Sequence, residues 1–215
     1  MKGLATRADV VRAAQDMTAR GLSPVRSGNV SARSPERPTE FWITPTGADY
    51  NSLSPADIVC VDVEGRVTDG DLKPSSEWHM HAAIYADRPE AQAIVHSHSP
   101  FATSIACTHR GIPPFHYMVA VAGGENIRCA DYATFGTPEL AANAVHAMIG
   151  RSACLLANHG QIVFGDDPHA ALDLAEEVET LANQYWHVLQ IGGPKLLDLD
   201  EMARVVQKFE TYGQQ

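Results

Sequence analysis

Histidine occurs twice in this sequence in pairs separated by a single residue, as His79 and His81 in "HMH" and as His96 and His98 in "AIVHSHS". Two imidazoles chelate a divalent ion only when their ring nitrogens converge, so the element that carries each pair decides its chemistry. "AQAIVHSHS" reads as a short buried strand, where side chains at i and i+2 leave the same face about 6–7 Å apart along the backbone. His96 and His98 can therefore grip one ion. "PSSEWHMHAAIYADRPE" reads as a helix capped at Ser75 or Ser76, and there i and i+2 point about 200° apart. His79 and His81 cannot share a metal.

That helix offers a carboxylate instead. Glu77 sits in its first turn, four residues before His81, and is a candidate acidic ligand or general base. His81 is read as a packed imidazole or one that supports a ligand, with direct ligation as the alternative, and His79 as a surface residue. A tripod needs a third neutral nitrogen, and "LANHGQIV" supplies His159 in a tight turn. The plain alternative for His96 and His98 is a pair of core histidines satisfied by backbone carbonyls. His109, His116, His146, His169 and His187 have no convergent partners and are assigned to packing or solvent.

The elements that must position these groups are legible from caps and periodicity. "TRADVVRAAQDMTARGL" has Thr6 as N-cap, Asp9 three residues on, an apolar face and Gly21 at the stop. "SGNVSARS" reads as a tight turn, "FWITPTG" as a short strand, and "DIVCVDVEGRVTDG" as a hairpin around Glu64-Gly65. "PFATSIACTHRG" and "TPELAANAVHAMIG" read as helices, the second with Thr137 as cap and Pro138 at its first position. "ACLLANHGQIVFG" is strand, turn, strand. "DPHAALDLAEEVETLANQYWHVLQIGG" is the longest helix, and "DEMARVVQKFETYG" the last. Two hairpins among mixed helices and strands predict a three-layer α/β/α sandwich around a mostly antiparallel sheet, formed by residues 1–215 as a single domain.

Composition narrows the partners. The formal charge is −10 and the 16 basic residues form no cluster, which gives no nucleic-acid footprint. A single phosphate can still bind, because helix N-termini and backbone amides hold it without a basic surface. No apolar run approaches the roughly 20 residues of a membrane span, and the N-terminal stretch lacks the apolar core of a signal peptide, so a soluble cytoplasmic protein is expected. Cys60, Cys107, Cys129 and Cys154 form no C-x-x-C pair and are expected as buried free thiols.

Taken in order, "GNVS", "ITPTG", "PSSEWHMHAAIY", "AIVHSHSPFAT", "HYMVAVAGG", "YATFGT" and "NHGQIVFG" resemble the class II aldolase/adducin family, and more closely its L-fuculose-1-phosphate aldolase branch, across nearly the whole chain. The resemblance implies homotetramers with one Zn²⁺ per subunit at subunit interfaces, held by His96, His98, His159 and Glu77. Glu77 would also act as acid/base once substrate displaces it. It implies a phosphate pocket at Gly28, Asn29, Thr46, Gly47, Ser75 and Ser76, which suits a Gly-rich turn and two serines at a helix start. Tyr117 would donate a proton to the aldehyde oxygen in a neighbouring subunit's site, and Phe135 and Tyr212 would lie at the aldehyde end.

The expected reaction is reversible cleavage of a ketose 1-phosphate to dihydroxyacetone phosphate and an aldehyde, with zinc as the Lewis acid. The four lysines, Lys2, Lys73, Lys195 and Lys208, lie in no buried apolar pattern, which disfavours a Schiff base. L-ribulose-5-phosphate 4-epimerases and related decarboxylases and dehydratases share the scaffold, but Thr44 stands where the epimerase-like pattern has a lysine. Adducin-like interaction modules lack a complete ligand set. "SPVRSGN", with Arg26 beside the pocket turn, departs from the fuculose-phosphate pattern and keeps 5-deoxyribulose 1-phosphate and methylthioribulose 1-phosphate open as substrates.

Overall fold

The structure, a computed structural model, describes residues 6–209. Helix α1 (Arg7–Ala19) opens on a capping box in which Thr6 and Asp9 satisfy each other's backbone. Strands β1 (Asn29–Arg33), β2 (Glu40–Ile43), β3 (Val59–Asp62) and β4 (Val67–Asp69) follow, then helix α2 (Trp78–Asp87), strand β5 (Ala93–Ser97) and helix α3 (Pro100–Ala106). Strand β6 (Arg128–Ala130), helix α4 (Pro138–Ala147), strands β7 (Ala153–Leu156) and β8 (Gly160–Gly165), and helices α5 (Pro168–Gln190) and α6 (Leu199–Phe209) complete the order.

The strands form one eight-stranded sheet in the order β4-β3-β2-β1-β5-β8-β7-β6. Every pairing is antiparallel except β6 with β7, so the α/β/α sandwich surrounds a mixed, mostly antiparallel sheet. The two-residue period of the strands divides the core. Val30, Ala32, Ala93, Val95 and Val163 face α1, α3 and α5, whereas Phe41, Ile43, Ile94, Ile162 and Phe164 face α2 and α4. His96 follows Ile94 by two and so belongs to the α2 face, where the start of that helix can meet it.

Three readings from sequence need correction. "SGNVSARS" is not merely a turn, because after Gly28 it becomes β1, paired with β2 on one side and β5 on the other. Its polar Asn29 and Ser31 are buried on the α2 face, and their polarity concealed a central strand. The cap of α2 is Glu77 rather than Ser75 or Ser76, and Ser75 Oγ accepts from the Glu77 backbone N–H at 3.3 Å. All four cysteines are free, but only Cys60 and Cys154 are buried; Cys107 is exposed. Strand β6 gave no signal of its own, being three residues long and defined by its parallel pairing with β7. No helix among the described residues is long and apolar enough to cross a membrane.

Candidate metal centre and pocket

Strand register brings the predicted ligands together. Asn29 of β1 pairs with His96 of β5, which pairs in turn with Ile162 of β8, so the β7–β8 turn carrying His159 lies beside the end of β5. Glycine permits the close approach on both sides. A Cβ at Gly28 would stand 2.5 Å from the His96 carbonyl oxygen, and one at Gly160 would stand 2.3 Å from that of Ser97. His98 lies just beyond β5, and Glu77 projects from the start of α2.

Glu77, His96, His98 and His159 present one ligand atom each within 4.8 Å of one another. His96 Nδ1–H donates to the Gln161 carbonyl at 2.8 Å, which commits its Nε2 lone pair to the site. That lone pair faces His98 Nε2 at 3.0 Å and Glu77 Oε2 at 3.2 Å, and Glu77 Oε1 lies 3.1 Å from His159 Nε2. Ring nitrogens and a carboxylate packed this closely call for a cation among them, either a proton or a metal. Neighbouring atoms 3.0–3.2 Å apart lie close to the roughly 3.3 Å edge of a tetrahedron with ~2.0 Å bonds, so three imidazoles and a carboxylate fit a divalent ion such as zinc.

The electrostatics agree with that donor set. Burial alone would raise the Glu77 pKa, but the His96 and His159 imidazoles outweigh it and hold the carboxyl well below its ordinary range. Burial pulls His96 down, and the Glu77 charge more than reverses this, leaving it raised. His98 is pushed down to about 3 by desolvation and by the neighbouring His96 and His159, which leaves it neutral with a lone pair to give.

Beside this cluster opens a pocket of about 340 Å³. Glu77, His98 and His159 form its floor, and Ser76, Tyr132, Ala133, Phe135 and Asn158 its walls. Phe135 is 66% exposed at the rim. Asn158, Tyr132 and Ala133 were not singled out from sequence; Asn158 did show as part of a turn, and it adopts φ +53° with its Oδ1 accepting from His109 Nε2–H at 2.5 Å.

The segments expected around a phosphate also meet. Thr46 N–H donates to the Lys73 carbonyl and Ser75 N–H to that of Thr44, each at 3.0 Å, while Thr44 N–H donates to Val30. Arg26 Nη1 donates to the Gly47 carbonyl at 3.3 Å, and the Tyr50 hydroxyl to that of Gly28 at 2.5 Å. Gly28, Asn29, Thr46, Gly47, Ser75 and Ser76 thus lie on adjoining strand ends and turns, although the Asn29 amide is engaged with Glu77 at 3.0 Å. His81 is fully buried and bonds Ser31 and Asn29 rather than joining the metal cluster. His79 stacks on Trp78 and is half-buried. Tyr117 is 51% exposed and faces a separate groove with Phe115, Leu197 and Phe209. Tyr212 lies outside the described residues.

Residues 8–186 match the family described as Class II Aldolase and Adducin N-terminal domain. A 5-methylthioribulose-1-phosphate/5-deoxyribulose-1-phosphate aldolase of Rhodospirillum rubrum is 51% identical over 98% of this chain and 93% of its own length. An L-fuculose phosphate aldolase of Escherichia coli is 45% identical over 92% of this chain and 91% of its own. A solved structure of an L-fuculose 1-phosphate aldolase superposes with a TM-score of 0.91 at 38% identity, covering 95% of this chain and 96% of that one.

Proposed function

The chain belongs to the class II aldolase and adducin family, and on that footing we propose that it is a zinc-dependent aldolase cleaving a 5-deoxy-ketose 1-phosphate reversibly to dihydroxyacetone phosphate and an aldehyde. The observation that carries this reading is the convergence of Glu77, His96, His98 and His159 on one point at the floor of a pocket. A divalent ion held there supplies Lewis-acid stabilisation for the negative charge that gathers on the three-carbon fragment when C3–C4 breaks. Glu77, kept ionised by its histidine neighbours, exchanges the proton at C3. The turns around Gly28, Thr46 and Ser75 hold the phosphate through hydroxyls and through backbone N–H groups other than those of Thr46 and Ser75, which the Lys73 and Thr44 carbonyls occupy.

Among the described residues lysine chemistry has no support, since Lys73, Lys195 and Lys208 are all exposed. Thr44 also favours the aldolase over the epimerase. It is fully buried with its Oγ1 accepting from Val30 N–H at 3.2 Å, so it serves the backbone and presents nothing to a substrate. The apolar wall of Tyr132, Ala133 and Phe135 suits an aldehyde that ends in a methyl or methylthio group, as in the named substrates of the Rhodospirillum rubrum relative. Tyr117, absent from its own chain's pocket, fits the role of proton donor to the aldehyde oxygen in a neighbouring subunit of a homotetramer.

The test is dihydroxyacetone phosphate release from 5-deoxyribulose 1-phosphate, methylthioribulose 1-phosphate and L-fuculose 1-phosphate, beside L-ribulose 5-phosphate. Fastest release from the two 5-deoxy substrates is expected. Inversion of the 5-phosphate without release of a three-carbon product would replace the aldolase with an epimerase.

A further inference from the structure

Behind Glu77, away from the pocket, five side chains form a continuous buried chain across the face of the sheet. Asn29 Nδ2 lies 3.0 Å from Glu77 Oε2, His81 Nε2 2.5 Å from Asn29 Oδ1, Ser31 Oγ 2.6 Å from His81 Nδ1, and the Tyr85 hydroxyl 2.8 Å from Ser31 Oγ. Asn29, Ser31, His81 and Tyr85 are all buried.

The proton order along this chain follows from its one fixed end. An ionised carboxylate only accepts, so the Asn29 NH₂ must face Glu77 and its Oδ1 must face His81. His81 then carries its proton on Nε2. A neutral imidazole with Nε2–H leaves Nδ1 as an acceptor, so Ser31 must donate to it, and Tyr85 must donate to Ser31. Each donor points toward Glu77, and each bond is compatible with the next. At the far end the Tyr85 ring lies 4.6 Å beneath the Arg33 guanidinium, which also donates to backbone carbonyls of Tyr85 and Ala91. The chain is therefore anchored at both ends.

We propose that His81 is a positioning residue for the aldolase reaction: by donating from Nε2 it fixes the Asn29 amide with its NH₂ toward Glu77, and so holds the carboxylate in the orientation used for proton exchange. This rests on the aldolase reading for the meaning of that orientation, but the hydrogen-bond order stands apart from it. If His81 cannot donate, the Asn29 amide is free to turn its oxygen toward the carboxylate, where two acceptors repel and Glu77 swings away.

Two substitutions separate this role from packing. The amide nitrogen of glutamine lies about as far from Cα as Nε2 does, whereas that of asparagine reaches only about as far as Nδ1. His81→Gln is expected to retain turnover within about threefold, and His81→Asn to lose kcat by tenfold or more, with KM changing less than kcat. Equal turnover in the two variants overturns the proposal. ¹⁵N NMR of the zinc-loaded wild-type protein, labelled at histidine, reads the tautomer without any turnover: a His81 signal with Nε2 protonated and Nδ1 bare is expected, and the reverse tautomer overturns the proposal even if neither variant folds. Should no ketose phosphate be cleaved by the wild type, the aldolase reading fails while the tautomer still decides the hydrogen-bond order.

Discussion

At the scale of single residues the proposed aldolase reaction divides the centre between histidines that only hold an ion and one group, Glu77, that also moves a proton. Glu77→Gln keeps shape and removes the proton carrier, so kcat should fall by about 10²–10⁴ while the three histidines still hold metal, as measured by elemental analysis beside steady-state kinetics. His96→Ala removes the nitrogen whose tautomer Gln161 fixes, and both stoichiometric metal and activity should disappear together. Retention of a full metal complement in that variant would take His96 out of the ligand set. The ligand candidates were legible in the sequence because "HSH" needs only the period of a strand, and Glu77 only its place at a helix start. The partners of Glu77 were not. Asn29 and Ser31 are far from it in sequence, and only the pairing of β1 with β5 under α2 brings them into line with His81 and Tyr85, which α2 itself carries.

At the scale of elements the problem is to stop β5 and start α3 within the two residues that include His98. Ser99 stands at the N-cap of α3 but makes no side-chain cap bond. Glu179 reaches across from α5 instead, and its two oxygens accept from the backbone N–H groups of Phe101 and Ala102 at 2.8 Å each. Glu179→Ala should lower stability by about 1.5–3 kcal/mol in chemical denaturation, and should weaken metal affinity as the turn bearing His98 loosens. The opposite flank is set by Gly28, whose φ of +83° and approach to the His96 carbonyl leave no room for a side chain. The helices were legible because their caps and stripes are local. β1 reads as a turn from sequence for a physical reason: Val30 and Ala32 are its only apolar positions, the stretch opens on Gly28-Asn29, and its other face, Asn29 and Ser31, is polar yet buried in a hydrogen-bond chain.

At the scale of the whole molecule the centre couples metal to acid stability. In the metal-free protein His81 and His98 are both held down to about 3, whereas in an unfolded chain they titrate near 6.5. Between those values the unfolded chain binds protons that the folded one refuses, so the stability these two contribute above pH ~6.5 is lost as the pH falls toward ~3. Glu77, also lowered, adds to the loss as the pH falls below its ordinary value of 4.5. His96 is raised and works in the other direction, its contribution being present in acid and lost as the pH rises through its folded value. Between pH 7 and pH 5 two lowered histidines outweigh one raised histidine, so the melting temperature of the metal-free protein should fall across that range, with Glu77 adding to the loss only in stronger acid. On the proposed zinc-dependent reading the ion would bind the folded chain in preference and would have to displace the proton from His96, so its affinity should rise with pH across the same range. The gap in melting temperature between zinc-loaded and chelator-treated protein should therefore be wider at pH 7 than at pH 5, measured by scanning calorimetry at fixed free zinc. A gap that is constant or narrows toward pH 7 would separate the metal from these histidines.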